Sequence, residues 1–172
     1  MINVSRKFLF GALGLALAVT SLHAGAQQRI IGGTYVPAGQ AQWVARLNTG
    51  CGGSLVASQW VVTAAHCVSS SLTTVRLGSI DQTSGGITRQ VVGRFVHPNF
   101  KRTSRGRDPF DIAVLKLDSP VTTIAPISMA SLDPAVNSTV TLLGWGRTSI
   151  SSNAGSQYLK QVDTRILAST SG

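Results

Sequence analysis

An all-β chain of antiparallel strands, a barrel or a sandwich, is the architecture to which this sequence points. Short runs rich in Val, Leu, Ile and Thr recur between Gly, Ser and Asn turn residues, and no segment after the first few dozen residues sustains a helical period. The two cysteines, Cys51 and Cys67, bracket two such runs and have no other partner to choose.

The first stretch is not part of that fold. Arg6 and Lys7 precede an apolar run from Phe8 to Thr20, and Ala24-Gly25-Ala26 supplies the small residues a signal peptidase requires. Thirteen apolar residues fall short of the ~20 that span hydrocarbon, so residues 1–26 read as a signal peptide cleaved after Ala26 rather than as a membrane anchor. The expected destination is outside the cytoplasm, secreted or periplasmic, with no membrane association once the signal is removed. Export leads to an oxidising compartment, where an even cysteine count favours a disulfide over metal ligation or a free thiol. Residues 27–172 are enough for one domain with its own core.

Loss of Arg6 and Lys7 lowers the formal charge from +9 to +7, and the chain contains no glutamate. The basic residues are scattered apart from Lys101, Arg102, Arg105 and Arg107, which read as a solvated loop. With no nucleic-acid motif and no aromatic platform, nucleic acid is excluded as a partner.

In chain order, Gln27-Gln28-Arg29 is followed by Ile30-Ile31-Gly32-Gly33, which by itself is an extended arm ending in a turn. Strands are expected at Gln42 to Leu47, Gly53 to Val56, Trp60 to Thr63, Thr74 to Leu77 and Gln90 to His97. His97-Pro98 opens a loop through the basic cluster. Asp111 then leads into Ile112-Ala113-Val114-Leu115-Lys116-Leu117, a run of the buried-strand type ended by Asp118-Ser119-Pro120. Residues 121–138, with Pro126 and Pro134, read as a connector. Strand signals resume at Thr139 to Leu143, before Gly144-Trp145-Gly146, and again at Tyr158 to Leu167.

Two residues are candidates for chemistry, although taken alone His66 reads as a core or turn residue and Asp111 as a loop cap. His66 stands one position before Cys67, so a Cys51–Cys67 bridge fixes the backbone of a residue that, as a general base, must first be within hydrogen-bond reach of its proton. Asp111, at the mouth of an apolar strand, needs a donor to offset its desolvation, and His66 is a natural one.

Five segments, in order, carry a family resemblance: Arg29-Ile30-Ile31-Gly32-Gly33, Cys51-Gly52-Gly53-Ser54-Leu55, Thr63-Ala64-Ala65-His66-Cys67, Asp111-Ile112-Ala113-Val114-Leu115-Lys116-Leu117 and Gly144-Trp145-Gly146. The sequence closely resembles trypsin-like serine proteases of the chymotrypsin fold from residue 29 to about residue 167. The resemblance implies a double antiparallel β-barrel, with a complete first barrel over about 30–120, a connector over about 121–138 and an incomplete second barrel over about 139–172. It implies a zymogen in which residues 27–29 are a short propeptide and an activating protease cuts between Arg29 and Ile30. His66 is the implied base, with Asp111 setting its tautomer. Protein or peptide substrates are implied, and no cofactor or metal.

The family's Gly-Asp-Ser-Gly-Gly-Pro nucleophile segment does not occur in residues 1–172, which are therefore expected to be an inactive, truncated protease. Thr83-Ser84-Gly85-Gly86 matches Ser-Gly-Gly only superficially and reads as a hairpin, Ser54 lies near the histidine in sequence, and Ser171 is too close to the terminus to be held rigidly. The alternative function is that of a secreted, non-catalytic homologue that binds a partner through the same surface.

Overall fold

The computed structural model describes residues 32–103, 108–149, 151 and 154–168. The signal segment, Arg29, Ile30, Arg105, Arg107 and Ser171 lie outside the described residues. Among the described residues nine strands form: β1 (Thr34–Tyr35), β2 (Val44–Leu47), β3 (Gly52–Ala57), β4 (Trp60–Thr63), β5 (Thr74–Leu77), β6 (Ile87–Val96), β7 (Ala113–Leu117), β8 (Thr139–Gly144) and β9 (Lys160–Arg165). A single turn of 3₁₀ helix spans Ala65–Cys67. The all-β expectation therefore holds.

Six of the strands close into a barrel in the order β2-β3-β4-β7-β6-β5, with β5 pairing back onto β2. Period-two alternation builds its interior: Leu55, Val61, Val75, Leu77, Leu115 and Leu117 all point inward and are fully buried. Closure leaves no free edge in this unit.

Strands β4 and β5 occupy the ranges expected of them, whereas β6 begins three residues earlier than its Val-rich segment suggests. Leu77 pairs with Ile87 directly across the glycine turn, which draws Ile87 to Arg89 into the ladder. That turn also explains Gly86. Its φ is +66°, and a Cβ there would lie 2.1 Å from the Leu77 carbonyl oxygen, so only glycine fits.

The remaining strands form a three-stranded sheet in the order β1-β9-β8. Two strands were expected in this part of the chain, and the third comes from the N-terminal arm. Thr34 and Tyr35 pair with Gln161 and Lys160, far along the sequence, which adds a strand to the second sheet from within the segment assigned to the first barrel. A small second core of Val36, Val44, Trp145 and Leu159 joins that sheet to the outer face of β2. The Trp145 indole N–H donates to the Ile80 carbonyl at 2.8 Å, which supplies the partner a buried indole requires.

Candidate active site

The geometry begins with one strand pair. β4 and β7 are antiparallel, with Thr63 opposite Ala113, so the chain leaving β4 and the chain entering β7 meet at the same end of the barrel. His66 lies three residues beyond Thr63 and Asp111 two residues before Ala113. Strand register alone brings two residues 45 apart in sequence to one place.

Local structure then aims the side chains. Ala64 is extended, and the chain turns through Ala65–Cys67, with Cys67 N–H donating to the Ala64 carbonyl at 3.1 Å and Val68 N–H to the Ala65 carbonyl at 3.0 Å. Ala65 and Cys67 are buried, which leaves His66 between them directed outward. Cys67 is disulfide-bonded to Cys51, immediately before β3, and the Thr63 hydroxyl donates to the Gly52 carbonyl at 2.8 Å. The turn is thus tied to β3 at both of its ends. Gly53 permits this close approach: a Cβ there would come within 2.8 Å of the Val62 carbonyl oxygen and 2.9 Å of the Val61 side chain.

Asp111 holds His66 by two bonds. One carboxylate oxygen accepts the His66 backbone N–H at 2.8 Å, and the other lies 2.6 Å from His66 Nδ1. Because a carboxylate only accepts, Nδ1 carries the proton in this contact, and in the neutral imidazole Nε2 then keeps its lone pair. Burial by itself would raise the Asp111 carboxyl. The hydrogen bonds from the His66 ring and backbone, the His66 charge and a bond from the Ala65 backbone outweigh it and hold the group below the ordinary carboxylate value. The histidine side chain is 44% exposed and the aspartate 26%, so the pair is open to solvent on the histidine side.

His66 borders a cleft of about 750 Å³ that Ser54, Trp43, Arg46, Leu143 and Trp145 also line. The cleft separates the barrel from the three-stranded sheet. Ser54 stands in its wall without a hydrogen bond to His66 among the described residues. Ser84 donates instead to Asp81 at 3.0 Å, inside the glycine turn. The His66 ring and both cysteine sulfurs lie within 4.8 Å of one another, but the disulfide occupies both sulfurs and leaves a single ligand atom, too few to hold a metal ion.

One contact was not anticipated. Arg102, from the basic loop, donates to the His66 carbonyl at 2.7 Å and so holds the peptide unit that follows the histidine, as Asp111 holds the one that precedes it. The charge cluster was the sole sequence signal, and it gave no hint of which member would reach the histidine.

Comparison with known proteins supplies the context. A family model described as Trypsin matches residues 30–172. Trypsin delta of Drosophila melanogaster is 33% identical over 150 residues, a match covering 81% of this chain and 58% of the relative. Trypsin of Sus scrofa is 34% identical over 152 residues, covering 83% of this chain and 64% of the relative. Among solved structures, neuropsin, a serine protease expressed in the limbic system of mouse brain, superimposes with a TM-score of 0.74 at 26% identity, covering 81% of this chain and 66% of that one. The chain spans less than two thirds of the length of each of these relatives.

Proposed function

This chain belongs to the trypsin family of serine proteases and has the chymotrypsin fold, and from that premise we propose that it is an exported endopeptidase chain in which His66 is the general base and Asp111 its orienter. The observation that carries the reading is the pair of bonds from His66 to a single carboxylate, at 2.8 and 2.6 Å. In acyl transfer the base must take a proton from a serine hydroxyl and later return it to the leaving amine. A neutral imidazole protonated on Nδ1 does this through Nε2, and the carboxylate stabilises the imidazolium formed in between.

The rest of the reading draws on the family. Signal cleavage after Ala26 and activation between Arg29 and Ile30 would release a mature chain outside the cytoplasm, and proteins or peptides would be its substrates. Residues 1–172 contain no Gly-Asp-Ser-Gly-Gly segment, so these residues by themselves supply the base and its orienter and no nucleophile.

The test is hydrolysis of denatured protein and of peptide amides by the secreted product of the complete reading frame. We expect cleavage that falls by about 10⁴-fold or more in His66→Ala, the scale of removing a triad member. Activity unaffected by that substitution contradicts the assignment. Binding of a protein partner without turnover supports the non-catalytic alternative.

A further inference from the structure

The barrel closes through β2 and β5, where Leu47 and Val75 pair on the buried face and Arg46 and Arg76 face each other beside them. Opposite residues on one face of an antiparallel pair lie about 4.5–5.5 Å apart at Cβ, where two like charges are unfavourable. No acidic side chain offsets them: among the described residues the one ion pair is His66 with Asp111. Arg46 gives Nη1 to the carbonyls of Gly50 and Cys51, and Arg76 gives Nη1 to the Gly85 carbonyl at 2.6 Å. These acceptors are neutral. The Nε and Nη2 groups of both arginines remain without hydrogen-bond partners among the described residues.

Arg46 and Arg76 are both half-buried and both line a cavity of about 210 Å³. Arg46 also borders the His66 cleft, where its guanidinium lies over the Trp145 ring at 5.9 Å from the ring centre. Its wall includes Thr88, which follows Arg76 in the same cross-strand row, and Thr74. Asn48 also borders it, but that side chain already bonds Ser71 and the amides of Thr73 and Thr74. Asp81, in the turn above, is the one carboxylate on the segment that roofs the cavity. It is occupied by the Thr83 amide and hydroxyl, by Ser84 and by Gln157.

We propose that this cavity is a binding site for a small tetrahedral oxyanion, a sulfate or phosphate group, held between the free edges of the Arg46 and Arg76 guanidiniums and capped by the hydroxyls of Thr74 and Thr88. Planar guanidinium forks match such oxygens in bidentate geometry, and four oxygens can be shared between two forks and two hydroxyls. The anion offsets the like-charge contact at the strand pair that closes the barrel. Among the described residues no carboxylate forms an ion pair with either arginine.

The site is tested by thermal unfolding of the full, disulfide-intact chain against rising sulfate, phosphate or acetate, with ionic strength held constant by sodium chloride. A ligand that binds the folded state alone raises Tm saturably. We expect that rise with sulfate and phosphate, not with acetate; Arg76→Gln removes it and Thr88→Val weakens the apparent affinity several-fold. No rise in the wild type, an equal rise with acetate, or a rise retained undiminished in both variants overturns the proposal, because general exclusion of sulfate or phosphate acts on wild type and variants alike. Should Arg76→Gln fail to fold, an unchanged midpoint concentration for sulfate in Thr88→Val is sufficient to overturn it.

Discussion

The proposed role of His66 depends on Asp111 being ionised and in place. The aspartate is held below its ordinary value in the folded chain, whereas an unfolded aspartate titrates near 3.9. A depressed folded value means that the carboxylate stabilises the fold fully above the unfolded pKa. That contribution is lost as pH falls through the folded one. The stability difference between wild type and Asp111→Asn, measured by urea unfolding, should therefore be flat just above pH 5 and shrink steadily below about pH 4. A difference that grows in acid contradicts the bond pattern described here. The sequence revealed this pair because each residue has a local mark: a cysteine beside the histidine, and an apolar strand after the aspartate. It did not reveal Arg102, since a long side chain in a charged loop can reach many carbonyls and only the folded loop selects one.

At the scale of elements, the disulfide secures the histidine turn to the start of β3, closing a loop with a sequence separation of 16. Chain entropy assigns such a loop roughly 3 kcal/mol of stability. Replacing Cys51 and Cys67 together by alanine should lower the unfolding free energy by about that amount while the other barrel strands persist, as chemical denaturation followed by circular dichroism can measure. An unchanged midpoint would show that the bridge contributes only local order. The barrel strands were legible because an apolar face turned toward a closed interior leaves a strong alternation, as in Trp60–Thr63 and Thr74–Leu77. β1 was not legible. Two residues carry no period, and their strand conformation comes from the ladder with β9. The same limit hid the link between the two sheets, which rests on Trp145 and Ile80 and on the pairing of Asp81 with Tyr158.

For the whole molecule, the barrel and the three-stranded sheet flank a cleft with His66 on its wall, and among the described residues no serine hydrogen-bonds that histidine. Ser84 belongs to the glycine turn, where Gly86 serves the backbone and Asp81 takes the hydroxyl, so its likeness to a nucleophile sequence is a likeness of turn chemistry. Residues 1–172 alone should accordingly resist labelling by an active-site-directed fluorophosphonate. Stoichiometric labelling that disappears in Ser84→Ala would refute this reading of the turn. The central claim, that Asp111 fixes His66 in the tautomer a base needs, is tested most directly by nitrogen-15 NMR of the His66 ring in the neutral state of the disulfide-intact chain. A proton on Nδ1, shifted far downfield and lost in Asp111→Ala, with Nε2 unprotonated, is the expected result; a proton on Nε2, or an Nδ1 proton indifferent to Asp111→Ala, would rule out that role for Asp111.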